Sequence, residues 1–260
     1  MDALLTYDSV EISFGGTAVV RDVSFSLHPG EIVGLVGESG SGKSSLIRAA
    51  MGLLGNNGLV TRGDIWFEGK SLPDLSEKEM RHIRGQKIGM IFQDCGASLC
   101  PIRTVGEQIA ESMAAHGTAD AAGAKAAALA LFSRLRFRDV ERIWNSYPFE
   151  LSGGMNQRVG IAISVLMNPS VLLADEPTSA LDTVVQREVL EELLELRELF
   201  GTAMILVSHD IGVISAMADT VLVLRQGHVV EGGGTRAVLD SPQNDYTRAL
   251  LAAVPRLRRV

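Results

Sequence analysis

Apolar residues recur along the chain in short runs separated by polar breaks, within Ile32–Val36, Lys87–Phe92, Val171–Ala174, Ala203–Val207 and Val221–Leu224. Runs of this length, rich in β-branched residues and without alternation, suit strands covered on both faces. They predict a largely parallel sheet flanked by helices, an α/β core. The opening differs. Val10–Phe14 and Val23–Leu27 alternate around Gly15-Gly16 and a further turn at His28-Pro29-Gly30, which predicts a small antiparallel β subdomain. Between Asp94 and Glu150 the composition shifts, and the Ala-rich stretch Ala119–Phe137 predicts a helical insert. In Val184–Phe200 the residues Val185, Val189, Leu193, Leu196 and Phe200 fall at three- and four-residue steps, an amphipathic helix that Gly201 should end. No internal repeat or low-complexity linker interrupts the order. The expected organisation is one domain over 1–260: a β subdomain and core from 1–93 and 166–240, a helical subdomain at 94–165, and a tail at 241–260.

Bulk properties narrow the class. The 260 residues are 46% apolar and 21% charged, enough to bury a full core. A net charge of -7 argues against general affinity for nucleic acid, which needs a clustered basic face to displace counterions. The basic run Arg256–Arg259 reads as a solvated end. Met1–Val10 carries Asp2 and Asp8 and lacks the apolar segment of a secretory signal, so a cytoplasmic location is expected. The longest uncharged stretch, Val159–Ala174, falls short of the ~20 residues a membrane helix needs. Cys95 and Cys100 have no neighbouring His or Cys to complete a metal site and read as free thiols.

Two motifs carry chemistry. Gly37-Glu38-Ser39-Gly40-Ser41-Gly42-Lys43-Ser44, followed by Ser45, is a phosphate-binding loop between a predicted strand and a predicted helix. Its glycines let the backbone aim successive amides at phosphate, the helix adds its positive end, Lys43 supplies counter-charge to the β and γ phosphates, and Ser44 should hold Mg²⁺. The second motif, Val171-Leu172-Leu173-Ala174-Asp175-Glu176, delivers two carboxylates at the carboxyl end of a strand, where open α/β sheets bind ligands. Asp175 would enter the magnesium shell and Glu176 would position or deprotonate the attacking water.

Leu151-Ser152-Gly153-Gly154-Met155-Asn156-Gln157-Arg158 resembles the signature motif of ATP-binding cassette (ABC) proteins. Gln93 after a strand, Ser179-Ala180-Leu181-Asp182 after the carboxylates, and His209 after the strand Ala203–Val207 complete that family's pattern. The resemblance implies an ABC nucleotide-binding domain with a RecA-like core that hydrolyses ATP with Mg²⁺. It also implies that two such cassettes sandwich two ATP molecules. Ser152, Gly153, Gly154, Gln157 and Asp182 would then reach the nucleotide held by the other subunit. His209 would contact the γ phosphate, Gln93 would touch magnesium and link the core to the helical insert, and Phe14 would stack on adenine. A blander role for His209 is helix capping beside Asp210.

Further stretches narrow the resemblance to ATPases of bacterial dipeptide, oligopeptide and nickel importers: Met90–Asp94, Ser98-Leu99, Pro101, Val105–Gln108, Tyr147–Glu150, Tyr246–Leu251 and Val254-Pro255. This implies a second, different ATPase subunit, two membrane permeases, an extracytoplasmic binding protein, and a place on the cytoplasmic face of the cell membrane. Cys95, Cys100, Asn156 and Asp245 depart from the group's usual residues. Phe149, where peptide importers commonly carry histidine, is similar to nickel-type members. So is the chain's shortness beside peptide-type members, which carry a cysteine-bearing extension. Both tilt the expected cargo toward nickel or a metal chelate, with peptides the alternative. A soluble ABC ATPase acting on nucleic acid or ribosomes, and an exporter ATPase, are the competing functions.

Overall fold

The computed structural model describes residues 2–118, 120–179 and 181–253. Ala119, Ala180, Val254-Pro255 and the Arg256–Arg259 run therefore lie outside the described residues. The chain divides into two compact units, Met1–Met80 with Ala203–Val260, and Arg81–Thr202.

In the first unit, β1 (Leu5–Phe14) turns through Gly15-Gly16 into β2 (Thr17–Leu27), and the two pair antiparallel. β3 (Ile32–Val36) leads to the helix Lys43–Ala50, and β4 (Gly58–Phe67) returns antiparallel to β1 before the short β5 (Lys70–Ser71). The resulting sheet has the order β2-β1-β4-β5. β1 and β2 are longer than their alternation predicts. Their register shifts between Tyr7 and Val10 and again on either side of Ile12, and Ser9 and Asp22 adopt positive φ near 51°. Each bulge turns the next side chain to the other face, so the period-two pattern breaks although the strand continues. The inner face packs on the helix Lys43–Ala50: the Tyr7 ring stacks on Phe25 at 4.4 Å, and its hydroxyl donates to the Leu46 carbonyl at 3.1 Å.

The second unit holds β6 (Ile88–Ile91) and β7 (Val171–Asp175), paired in parallel and fully buried. Between them lie the helices Val105–Ala115, Ala121–Arg134, Val140–Asn145 and Gly153–Val165, and Thr183–Phe200 follows. Each has a side-chain N-cap: Thr104 in a capping box with Glu107, then Asp120, Asp139, Ser152 and Asp182. Such caps satisfy amides that no intrahelical carbonyl can reach. The Ala-rich helix thus starts directly after its Asp120 cap and stops at Arg134, short of Phe137. Gly201, at φ 65°, ends the long helix as expected.

The chain then returns to the first unit with β8 (Ala203–Val207), β9 (Thr220–Arg225) and β10 (His228–Gly234). β3 lies in parallel between β8 and β9, while β10 runs antiparallel at the edge. All five residues of β3 and of β8 are buried, in keeping with the unalternating apolar pattern that predicts them. The polar, Gly-rich β10 is not legible in sequence, because an edge strand has no second partner and His228–Gly234 has no apolar run.

Candidate functional site

In the first unit the phosphate loop has the predicted context, with β3 before it and the helix Lys43–Ala50 after it. Gly37, Gly40 and Gly42 have φ of 145°, 79° and 102°. Gly37 is further constrained by space, since a Cβ there would lie 2.1 Å from the Leu224 carbonyl oxygen. Ser41, Gly42 and Lys43 are buried, Ser44 and Ser45 half-buried, and Glu38, Ser39 and Gly40 exposed. The Lys43 ammonium folds back over the loop and donates to the carbonyls of Gly37 and Glu38, both at 2.8 Å. An ammonium lined by loop carbonyls, at the start of a helix whose first amides point the same way, is arranged to meet an anion.

The loop has two braces that the sequence does not reveal. The Gly227 amide, in the β9–β10 turn, donates to the Ser41 carbonyl at 3.2 Å. The Glu38 amide donates to the hydroxyl of Tyr246, in the helix Asp245–Ala252, at 3.1 Å. Phe14 ends β1 half-buried and sits against Gly58, where a Cβ would come within 2.7 Å of its ring. His209 is exposed just after β8. Capping of the helix Ile211–Met217 belongs to Asp210, which accepts from the Gly212 amide at 2.8 Å.

In the second unit Asp175 is the last residue of β7 and 1% exposed. Glu176 follows half-buried with φ 49°, a backbone conformation that side-chain-bearing residues adopt only under local constraint. The turn supplies that constraint. Both the amide and the hydroxyl of Ser179 donate to the Glu176 carbonyl at 3.2 Å, and the buried Gln157 amide donates to the Pro177 carbonyl at 2.6 Å. The Gln93 side chain donates to the Glu176 carboxylate at 3.2 Å, so two sequence-predicted residues 83 positions apart meet directly.

The signature residues Ser152 and Gly153 are exposed, and Gly154 is half-buried against Val185. Ser152 caps its helix, accepting from Met155 at 3.3 Å, and Asp182 caps the next, accepting from the Val184 and Val185 amides at 3.0 Å. Gln157 differs from these surface positions: it is 5% exposed, and the partner named above is internal. Behind the signature helix, Arg158 pairs with the buried Glu192 at 2.5 Å and lies 4.6 Å from the Phe137 ring centroid. Burial raises the Glu192 pKa against the opposing pull of Arg158.

Ser44 in the first unit offers a hydroxyl, and Gln93 and Asp175 in the second an amide carbonyl and a carboxylate, each an oxygen donor of the kind a hard cation takes. Donors of this chemistry suit Mg²⁺, which keeps several waters and shares phosphate oxygens rather than demanding a full protein cage. Among the described residues no group of three or more His, Cys, Asp or Glu forms an all-protein metal site.

The ABC transporter family model matches residues 20–179, more than half of the chain and spanning the phosphate loop, the signature and the carboxylates. The chain belongs to the ABC transporter family. This ABC chain is 41% identical over 263 residues to a Sinorhizobium fredii protein named as a probable peptide ABC transporter ATP-binding protein, covering 99% of this chain and 78% of that one. It is 43% identical over 259 residues to the oligopeptide transport ATP-binding protein OppD of Bacillus subtilis, covering 98% of this chain and 72% of that one. Among solved structures, a dimeric ATP-binding cassette in a post-hydrolysis state with ADP and phosphate matches with a TM-score of 0.78 at 28% identity, over 89% of this chain and 99% of that one. The ABC chain is thus a transport ATPase with the cassette fold, and ATP is its nucleotide. No helix among the described residues is long and apolar enough to cross a membrane.

Proposed function

We propose that this chain is one ATPase subunit of a bacterial importer of small peptides. The observation that carries the cargo is that identity to two peptide-named transport proteins runs over 98–99% of this chain, well beyond the cassette motifs at 20–179. Phe149, 72% exposed and stacked on Tyr147, is the feature that favours a nickel chelate as the second reading. The chain acts as a single ATPase domain, with 94–165 as its helical subdomain and 241–260 as a tail. A second, different ATPase subunit, two permeases and an extracytoplasmic binding protein complete the machine, at the cytoplasmic face of the cell membrane.

The roles of individual residues follow from their chemistry. Residues Gly37, Glu38, Ser39, Gly40, Ser41, Gly42, Lys43, Ser44 and Ser45 hold the ATP phosphates, Lys43 by charge and the loop by its amides. Phe14 stacks on adenine. Ser44, Asp175 and Gln93 would hold Mg²⁺, which would supply neutralisation of the phosphate charge. Glu176 takes the proton of the attacking water or fixes its direction, and its bond from Gln93 sets the carboxylate's orientation. His209 contacts the γ phosphate. Ser152, Gly153, Gly154 and Asp182 meet the nucleotide of the partner ATPase and close the pair around it, while the buried Gln157, expected to join them, braces the turn after Glu176 through the Pro177 carbonyl.

Uptake decides the cargo. Membrane vesicles carrying this chain with its neighbouring ATPase, permeases and binding protein should accumulate a labelled tripeptide when ATP is on the ATPase side. Accumulation of a nickel chelate without peptide would transfer the cargo to the second reading. Recovery of nucleic acid without integral membrane subunits would remove the importer reading altogether.

A further inference from the structure

The stretch Tyr246–Leu251 serves in the sequence only as a mark of kinship, yet the structure gives its first residue a place against the phosphate loop. From the Tyr246 bond we infer that the C-terminal helix is a positioning element for the phosphate loop, acting through the Tyr246 hydroxyl on the Glu38 amide. The inference rests on the assignment of that loop as the ATP phosphate site.

Tyr246 is 8% exposed and tightly located. Its ring lies 4.8 Å from the Arg225 guanidinium, and its own amide donates to the Asn244 side chain at 2.9 Å. Asn244 is tied in turn to β10: its amide donates to the Glu231 carboxylate at 3.1 Å and its side chain to the Val230 carbonyl at 3.3 Å. The adjacent Gln243 amide donates to the same carboxylate at 2.6 Å. The hydroxyl therefore sits at the end of a chain of bonds anchored in a paired strand. It accepts from Glu38, the exposed loop residue that directly follows Gly37.

Glu38 is otherwise exposed, and its carbonyl already accepts from both Lys43 and the Ser41 amide. Fixing its amide as well fixes the peptide plane between Gly37 and Glu38, and with it the direction of the Gly37 carbonyl, one of the two that hold the Lys43 ammonium. Without the hydroxyl, the loop populates other conformations, and apparent ATP affinity falls in proportion to the competent fraction.

Calorimetric titration of ATP into the purified chain, alongside thermal unfolding, tests the inference. Tyr246→Phe keeps the ring, its burial and its contact with Arg225, and removes only the acceptor. We expect ATP to bind about threefold to tenfold more weakly, the loss associated with one hydrogen bond. The turnover rate at saturating ATP in the assembled transporter should stay at the wild-type value, so KM rises and kcat does not. Arg248→Ala removes the bonds from Arg248 to the Pro242 and Gln243 carbonyls at the start of the same helix, and leaves the Tyr246 hydroxyl and the Asn244–Glu231 anchor in place. It should leave ATP affinity unchanged. Wild-type affinity in Tyr246→Phe would overturn the inference, as would an equal loss in Arg248→Ala, which would make the effect one of helix stability alone. Failure of the underlying site assignment is distinguishable: the wild-type chain and Lys43→Ala would then bind ATP equally.

Discussion

Two glycines of the same loop should respond very differently to one methyl group. At Gly37 an added Cβ would lie 2.1 Å from the Leu224 carbonyl oxygen and 3.0 Å from the Ser41 hydroxyl, with φ at 145°. The backbone conformation alone costs a side-chain-bearing residue about 1–3 kcal/mol. The overlap adds more, because Leu224 lies in β9, held by β3 on one side and β10 on the other. Relief therefore requires displacing a paired strand, comparable to overpacking a core at about 1–3 kcal/mol. A total on the order of 4 kcal/mol follows. With a urea m-value of about 3 kcal/mol/M for a chain this long, that is a midpoint shift of roughly 1.3 M. Gly40, at φ 79°, has nothing within 4 Å of the place its methyl would occupy. Gly40→Ala should cost only about 1 kcal/mol of left-handed backbone strain, a shift of roughly 0.3 M. Equilibrium urea unfolding of the two variants measures both. If Gly37→Ala unfolds within about 0.5 kcal/mol of Gly40→Ala, the accuracy expected of independent sites, the reasoning from the Leu224 carbonyl is wrong.

Glu176→Gln should keep ATP affinity while lowering turnover at least about a hundredfold, since it removes the proton acceptor but not the phosphate contacts; near-normal turnover would rule out the assigned role. Arg158→Met strands the buried Glu192 carboxylate and should destabilise by about 3–5 kcal/mol, whereas adding Glu192→Leu should recover most of it in the same unfolding assay. Burial pushes the Cys95 thiol up to about 11. Iodoacetamide at about pH 8 should therefore label the half-buried Cys100 in the folded chain and spare Cys95, as mass spectrometry of digests would show, and Cys95 should react only once denaturant is added.

The parts of this molecule that are legible in sequence share a physical reason: a local periodicity or a local spacing specifies them. β3, β7 and β8 are buried on both faces, so they read as plain apolar runs. The long helix Thr183–Phe200 presents one apolar stripe to its unit, and that stripe places it within one residue. The strand-loop-helix context of the phosphate loop is likewise a matter of adjacent residues. What stays hidden depends on pairing over long separations. β4 is not legible because its exposed residues, such as Leu59 and Trp66, are apolar and blur the alternation. The bulges at Ser9 and Asp22 hide half of β1 and β2. In the site, the sequence names both Gln93 and Glu176 but not the bond between them. The resemblance has Gln157 facing a partner subunit. Its burial reflects the helical turn, which carries it to the inner side of the helix capped by the exposed Ser152. In sequence Tyr246 is only a mark of kinship, since nothing in the motif says that it reaches back 208 positions to Glu38.

The left-handed backbone at Glu176 sets natural selection against protein engineering. Glycine would relieve about 1 kcal/mol of strain at that φ, offset by the lost bond from Gln93 and by the greater freedom of glycine in the unfolded chain, so Glu176→Gly should unfold within about 1 kcal/mol of the native chain. A screen that rewards only heat resistance would accept such a variant, whose turnover is lost under the role proposed for Glu176. Under the role proposed for Glu176, any thermostabilised version of this ATPase should hold residue 176 fixed.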